Sequence, residues 1–214
     1  MTSHQKNDRR TLVRYARELW KRRLVSGTSG NLSVRLKDGS FLVTPSQHSL
    51  RNLRGDELLR VDGAGVPLDS RGTPSSELAV HLMAYSVRLD IAAVVHTHPT
   101  FCVVWSSFGR VFPRETVGAR ETLGEVAWTP YAPPGTQELA NITATEFARG
   151  VNTVLMENHG LTTIGVTLED AFVLSDLAEE TARVAYWSGV SPLGGANPFS
   201  GFKRQVRAGS NPDP

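Results

Sequence analysis

Short β-branched, apolar runs alternate with amphipathic helical segments along this chain, and the alternation limits the possible folds more than any other feature. Runs at 91–95, 126–129, 153–156 and 161–164 have the composition of buried strands. Two more strands near 32–36 and 41–44 are joined by Asp38-Gly39, a dipeptide typical of hairpins. The spacing predicts helices at 12–20, 74–88, 99–107, 136–149 and 168–188. We therefore predict an α/β fold, a single domain whose sheet is flanked by helices, while the pattern leaves open which strands are parallel.

Composition sets the class of protein. The 214 residues are 40% hydrophobic and 21% charged, enough for one globular core. A formal net charge of only +2 argues against nucleic-acid and membrane partners. Cys102 is the only cysteine and no apolar segment is long enough to span a bilayer, so we expect a cytoplasmic protein. We expect flexible tails at 1–8 and 191–214 around a catalytic domain at 9–190.

The clearest chemical signal is His96-Thr97-His98, which follows the buried run at 91–95. Because side chains alternate along an extended strand, residues two apart project from the same face. His96 and His98 therefore point the same way where the strand leaves the core, as two metal ligands would. Taken alone, the pair fits a metal site and a hydrogen-bonded turn ended by Pro99 about equally.

A third histidine, His159, follows the run at 153–156 and precedes Gly160. If the two strands end in the same layer, His159 meets His96 and His98. Three neutral imidazoles leave a coordination position open, which is typical of catalytic zinc sites. His159 alone fits a turn residue, but three histidines at strand exits favour one zinc ion per chain, with Mn²⁺, Co²⁺ or another divalent ion as alternatives.

The segment Pro74-Ser75-Ser76-Glu77 predicts a helix start, with Glu77 in the first turn where the helix dipole favours an anion. Its serines and free backbone N–H groups fit a small anion site as well as an ordinary cap. The loop at 26–31 is similarly either a glycine-rich turn or a phosphate cradle. We interpret His81 as a packed or hydrogen-bonded core histidine and Cys102 as a small buried apolar residue.

Six motifs, taken together in order and spacing, resemble one family. They are SGTSGNLSVR (26–35), FLVTPS (41–46), PSSE (74–77), VVHTHP (94–99), TPYAPPGT (129–136) and ENHGL (157–161). From about residue 11 to 188 the chain resembles the class II aldolase/adducin family, in particular its L-fuculose-1-phosphate aldolase-like members. The resemblance implies a central mixed or antiparallel sheet flanked by helices, and homotetramers with active sites near subunit contacts.

The resemblance also implies roles for individual residues. Zinc would be bound by His96, His98 and His159, and Glu77 would be the catalytic acid/base. The positions that match phosphate or substrate contacts are Asn31, Ser46, Gln47, Ser75 and Ser76. The implied reaction cleaves a ketose 1-phosphate to dihydroxyacetone phosphate and an aldehyde, or runs in reverse, through a metal-stabilised enediolate.

Three departures from the family pattern bear on the substrate. Gln47 stands where the aldolases usually have glycine, no tyrosine lies near 116–117, and the C-terminal tyrosine has no clear match at 201–205. The metal site therefore fits the family better than the substrate pocket does.

The alternatives within the family are sugar-acid phosphate decarboxylases, pentulose-5-phosphate 4-epimerases, a thioribulose-phosphate dehydratase and the non-catalytic adducin head domain. The epimerases typically carry aspartate in place of Glu77, which counts against them. A binding module needs no set of three histidines, which counts against an adducin-like role.

Overall fold

The computed structural model describes residues 3–69, 72–108, 111–114 and 116–188. They form a seven-stranded sheet with helices on both faces, which confirms the predicted α/β fold. The strands are β1 Asn31–Arg35, β2 Phe41–Val43, β3 Leu59–Val61, β4 Ala93–Thr97, β5 Val126–Thr129, β6 Thr153–Met156 and β7 Gly160–Gly165. The helices are α1 Ser3–Lys21, α2 Leu78–Val87, α3 Thr100–Ser106, α4 Gln137–Ala148 and α5 Leu168–Ser188, with a short π-helix at Ala119–Leu123.

The sheet is mixed, and its strand order is β3-β2-β1-β4-β7-β6-β5. Only the pairing of β5 with β6 is parallel among the described strands; the others are antiparallel. Strand β4 lies in the centre, between β1 and β7, and all five of its residues are buried. Because a central strand is hydrogen-bonded on both sides, side chains carried at its end have a rigid backbone beneath them.

Two apolar layers cover the two faces of the sheet. Val94 of β4 shares one core with Val80 and Ala84 of α2 and Phe147 of α4. Its neighbour Val95 projects to the opposite face, where it shares a second core with the apolar faces of α1 and α5. Side chains at even-numbered positions of β4 therefore face α2, which determines where the candidate site forms.

Four details differ from the sequence predictions or lie beyond them. Residues 3–8, predicted as a flexible tail, are the first turns of α1; adding turns to a helix already anchored by Leu12 and Leu19 costs little. Strand β3 and the π-helix were not predicted. The predicted tail at 191–214 lies outside the described residues.

Within the described part of the chain, no helix is both long and apolar enough to cross a membrane.

Candidate metal centre

The central strand positions two of the three histidines. His96 is the fourth residue of β4, and His98 lies one residue past its end. Both project from the face that Val94 presents to α2, because residues two apart share a face. The backbone N–H of His98 donates to the carbonyl of Leu24 at 2.9 Å, which fixes the chain beyond the strand.

The third histidine comes from the tight turn between β6 and β7. Asn158 adopts a left-handed conformation with φ of 53°, which asparagine tolerates better than most residues. The backbone N–H of His159 then donates to the carbonyl of Met156 at 3.2 Å. Ser106 accepts a 3.0 Å hydrogen bond from the backbone N–H of Asn158, so α3 also supports the turn.

The structure brings the three imidazoles together. The Nε2 atoms of His96 and His98 are 2.8 Å apart. The ring of His159 lies with its centroid 5.0 Å from that of His96 and 5.2 Å from that of His98. Three rings packed edge to face with nitrogen atoms this close share one small space, as ligands of a single ion do.

Glu77 completes the cluster. Its carboxylate oxygens lie 2.9 Å from Nε2 of His96 and 3.0 Å from Nε2 of His159. One nitrogen or oxygen atom from each of the four side chains falls within 4.8 Å of all the others. The amide nitrogen of Asn31 donates to Glu77 at 3.2 Å.

The prediction that Glu77 lies in the first turn of a helix is wrong. Helix α2 begins at Leu78, and Glu77 is the residue before it, with φ of −97° and ψ of 14°. Pro74 is instead paired with Pro45 in an isolated antiparallel bridge, so the chain is still extended where the sequence predicted helix. The hydroxyl of Ser75 accepts the backbone N–H of Glu77 at 3.3 Å, closing a turn that aims the carboxylate at the histidines.

Burial and charge set the protonation of the cluster. Burial would raise the pKa of Glu77, but the neighbouring His96 and His159 outweigh it and hold that pKa well below the usual range. Burial, together with His96 and His159, lowers the pKa of His98 to about 3. At neutral pH the centre therefore presents an ionised carboxylate and a neutral His98, the forms that bind metal.

The residues fit a divalent transition-metal ion. In a tetrahedral zinc site with bonds of 2.0–2.1 Å, ligand atoms lie about 3.4 Å apart, within the spread of this cluster. Oε1 of Glu77 is buried, and although it lies 3.0 Å from His159 it has no hydrogen-bond partner. A cation among the four groups would supply the missing partner. Imidazole nitrogens with one carboxylate suit zinc and its neighbours better than magnesium or calcium.

Two further residues support the cluster in ways that were not predicted. The hydroxyl of Thr162, on the neighbouring strand β7, lies 3.0 Å from Nδ1 of His96. Gly160 allows β7 to begin beside the site, because a Cβ atom there would lie 2.4 Å from the carbonyl oxygen of Thr97. Both contacts depend on the pairing of β4 with β7, which the sequence does not reveal. In the sequence, the glycine directly after His159 is the one hint that another segment of backbone passes close to the site.

The predicted phosphate contacts Ser46 and Ser75 lie on adjacent segments. The backbone N–H of Ser46 donates to Thr73 at 2.9 Å, and that of Ser75 donates to Thr44 at 3.3 Å. Beside them a cavity of about 600 Å³ is lined by Ser46, Gln47, His48, Arg54 and Thr73, among others. We call the two paired segments, 44–46 and 73–76, the paired loop; its second segment lies directly before Glu77 in the chain.

The remaining three candidates differ in their surroundings. Ser76 is exposed on the surface of the same loop, where its carbonyl lies close to Gly135. Gln47 is exposed and holds a left-handed φ of 57°, a conformation that favours glycine. Asn31 is buried, with its side-chain amide engaged by Glu77 and His81.

The interpretations of His81 and Cys102 as core residues are confirmed. His81 is buried and makes hydrogen bonds through both ring nitrogens, to Ser33 and Asn31. Cys102 is buried in the apolar core beneath α3, and burial raises the pKa of its thiol well above the usual value.

The chain is similar in sequence and fold to known enzymes. The family described as Class II Aldolase and Adducin N-terminal domain matches residues 10–186. The L-fuculose phosphate aldolase of Methanococcus vannielii is 30% identical over 177 residues, covering 83% of this chain and 94% of the relative. The 3-oxo-tetronate 4-phosphate decarboxylase of Escherichia coli is 32% identical over 190 residues, covering 86% and 89% respectively. The crystal structure of L-fuculose-1-phosphate aldolase from Thermus thermophilus superposes with a TM-score of 0.76 at 27% identity, covering 87% of this chain and 96% of that one.

Proposed function

The chain belongs to the class II aldolase and adducin family, and from that premise we propose that it is a zinc-dependent aldolase acting on a ketose 1-phosphate. The observation that carries the proposal is the convergence of His96, His98, His159 and Glu77 in one buried cluster. A purely structural domain has no need of four such groups facing one another. Members of this family that are aldolases use a divalent ion, and this donor set suits zinc.

Each residue has a defined task in the proposed reaction. The three histidines would hold the ion, which when bound supplies Lewis acidity at the carbonyl and adjacent hydroxyl oxygens of the substrate. Glu77, ionised at neutral pH, would handle protons. In the cleavage direction Glu77 would take up the proton of the C4 hydroxyl as the C3–C4 bond breaks and the aldehyde leaves. The electron pair stays on the C2–C3 enediolate, and Glu77 delivers a proton to C3 to give dihydroxyacetone phosphate.

We propose that the phosphate is bound by the paired loop, through Ser46, Ser75 and Ser76. The backbone N–H groups of Ser46 and Ser75 are already bonded to Thr73 and Thr44, so the serine hydroxyl groups would be the donors to the phosphate. Gln47 would face the same cavity and narrow it relative to a glycine. Asn31 would contribute through its contact with Glu77 as well as through any contact with substrate.

A decarboxylase acting on a phosphorylated sugar acid is the second candidate. Loss of carbon dioxide from a carbon next to a carbonyl leaves the same kind of electron pair that aldol cleavage leaves, so the same metal and base serve both reactions. Two observations favour it: the Escherichia coli decarboxylase relative matches over 190 residues, and Gln47 together with the missing tyrosine at 116–117 departs from the aldolase pattern.

We further propose a cytoplasmic homotetramer with active sites near subunit contacts. Large apolar side chains exposed on the described surface support an assembly; Trp187 is 55% exposed, Val111 82% and Val117 76%. Phe101, which packs against Tyr186 and Trp187, lies only three residues past His98. Light scattering coupled to gel filtration tests this, and a monomer at micromolar concentration would contradict it.

The experiment that tests the function pairs elemental analysis of the purified protein with two product assays. We expect about one zinc ion per chain and release of dihydroxyacetone phosphate from ketose 1-phosphates. The metal-free His98→Ala variant is the control for background chemistry. Release of carbon dioxide from 3-keto sugar-acid phosphates, without dihydroxyacetone phosphate from ketoses, would move the assignment to the decarboxylase. Protein that neither contains nor takes up a transition metal would contradict both.

A further inference from the structure

A continuous line of buried hydrogen bonds runs from Glu77 away from the metal centre into the protein. The amide nitrogen of Asn31 donates to Glu77 at 3.2 Å, and its carbonyl oxygen lies 2.5 Å from Nε2 of His81. Nδ1 of His81 lies 2.7 Å from the hydroxyl of Ser33, which lies 2.9 Å from the hydroxyl of Tyr85. All five side chains are buried, with at most 7% exposed.

The chemistry of the groups fixes the direction of every bond in the line. An ionised carboxylate only accepts, so Asn31 must turn its NH₂ group to Glu77 and its carbonyl to His81. His81 must then carry its proton on Nε2, which leaves Nδ1 as an acceptor. The hydroxyl of Ser33 donates to Nδ1 and accepts from Tyr85. Each donor in the line therefore points toward Glu77.

The surroundings keep His81 and Tyr85, the two titratable members of the line beyond Glu77, neutral. Burial, followed by the nearby His96, lowers the pKa of His81 to about 3. Burial raises the pKa of the Tyr85 phenol above its usual range, so it remains a donor. The donor order is therefore the same throughout the range in which an enzyme works.

We propose that His81 is a positioning residue, which through its Nε2–H holds the amide of Asn31 in the one orientation that donates to Glu77. A carboxylate that leaves a metal to act as a base loses one of its anchors, and the Asn31 bond is the anchor that remains. If Nε2 of His81 carried no proton, it would accept a hydrogen bond from the NH₂ group of Asn31. The amide would then be rotated by 180°, with its oxygen facing the carboxylate of Glu77 and repelled by it. The catalytic part of this inference rests on the proposed role of Glu77; the orientation of Asn31 does not.

The first test reads the tautomer directly. In ¹⁵N-labelled, zinc-loaded protein we expect the His81 ring to carry its proton on Nε2 with Nδ1 unprotonated, and His81→Gln identifies its signals by their loss. An Nδ1-protonated ring or an imidazolium at neutral pH would overturn the proposal, whatever the protein does to sugars. In Ser33→Ala the Asn31 carbonyl still accepts from Nε2, so the Nε2-protonated form should remain the main tautomer, while loss of the bond to Nδ1 holds the ring less firmly and should lower kcat.

The second test uses matched variants. His81→Leu removes the donor to Asn31, whereas His81→Gln offers an amide N–H close to the position of Nε2. We expect His81→Leu to lower zinc affinity and kcat by about 10- to 100-fold with little change in KM, and His81→Gln to recover most of both. Ser175→Ala is the control for a lost buried hydroxyl, since Ser175 bonds Thr163 on the other face of the sheet. It should not show the kcat loss of Ser33→Ala.

The outcomes separate the two proposals. Equal losses of zinc affinity and kcat in His81→Leu and His81→Gln would contradict the proposal, as would equal kcat losses in Ser33→Ala and Ser175→Ala. Either result would mean that these side chains only fill the core. If no ketose or sugar-acid phosphate reacts but the tautomer and the zinc affinities behave as described, the proposed function fails and the positioning of Asn31 stands.

Discussion

The imidazoles and the carboxylate of the site are mounted on the protein in different ways. His96 and His98 belong to a central strand that is paired on both sides, and His159 lies in a tight turn whose backbone N–H groups are bonded to neighbouring elements. Glu77 instead precedes a helix, in an irregular segment without a side-chain cap. Its backbone N–H donates a long hydrogen bond, 3.3 Å, to the hydroxyl of Ser75.

The difference matches the work that each side would do. A metal ligand must keep its geometry through every step, and backbone hydrogen bonds on both sides of β4 provide that rigidity. A group that moves protons must reach more than one partner, which a turn permits at lower cost than a strand. We call these two parts the imidazole side, His96, His98 and His159, and the carboxylate side, Glu77 with Asn31.

The largest expected effect comes from removing the imidazole side. Changing His96, His98 or His159 to alanine should reduce bound zinc from about one ion per chain to almost none and abolish turnover, because each change removes one of the three imidazole ligands and leaves a gap in a cluster whose other groups are fixed in place. Elemental analysis after dialysis measures this. His48→Ala is the control, since His48 is exposed in a loop and should leave zinc content unchanged. Full zinc content in any of the three histidine variants would show that the imidazole side does not hold the ion.

Removing the charge of the carboxylate side should give the opposite pattern. Glu77→Gln keeps the size of the side chain, so we expect the three histidines to keep zinc bound, at lower affinity, while kcat falls by about 10²- to 10⁴-fold. Glu138→Gln, an exposed change in the first turn of α4, controls for loss of a negative charge. Near-normal turnover in Glu77→Gln would show that the proton-transfer group lies elsewhere.

The two sides also differ in how well the sequence predicts them. A buried run followed by His-x-His predicts two ligands on one face, because strand alternation needs no knowledge of the tertiary fold. The same reasoning places Pro74 and Ser75 at a helix start, and there it is wrong. Proline followed by serine also fits the bridge that Pro74 makes with Pro45. Whether this segment starts a helix or forms a bridge depends on its pairing with a distant segment, which the local sequence does not predict.

The elements of the fold also divide into those that local sequence predicts and those that depend on tertiary pairing. Elements with many buried side chains, such as α5 and β6, are predicted with their limits intact, whereas β4 begins and ends two residues later than the predicted 91–95, so that His96 lies inside the strand. Strand β3 has only three residues, with arginine in the middle, and exists through its pairing with β2. The contact of Thr162 with His96 likewise depends on a strand register that periodicity does not contain.

Crowding the imidazole side tests how rigid it is. In Gly160→Ala the new Cβ would lie 2.4 Å from the carbonyl oxygen of Thr97 and 3.0 Å from the ring of His98. We expect a loss of about 1–3 kcal/mol in unfolding free energy and a clear fall in zinc affinity. Gly63→Ala is the matched control, because nothing lies within 4 Å of its Cβ position. A variant with normal zinc affinity would mean that the strand ends shift easily.

Lowering the pH should reduce the folding stability of the protein through His81, which is hydrogen-bonded to Asn31 of the carboxylate side. His81 has its pKa lowered to about 3, so the unfolded chain takes up its proton first as pH falls below about 6.5. Folding stability from the neutral ring is complete above that pH and is lost progressively toward pH 3. Urea titrations of metal-free protein should show this slope flattened in His81→Gln, by up to about 1.4 kcal/mol per pH unit. An unchanged slope would mean that His81 is not buried as a neutral ring.

The smallest expected effect concerns how α5 supports the imidazole side. Glu179 accepts the backbone N–H groups of Phe101 and Cys102 at 3.0–3.1 Å, which holds the start of α3 directly after His98 and Pro99. Glu179→Gln keeps one acceptor oxygen and loses the charge, so unfolding free energy should fall by about 1 kcal/mol or less. Zinc affinity should fall less than in Gly160→Ala, because the strand itself is untouched. If this distant change weakens zinc binding as much as a change beside the ligands, then α5, rather than the pairing of β4, keeps the imidazole side rigid.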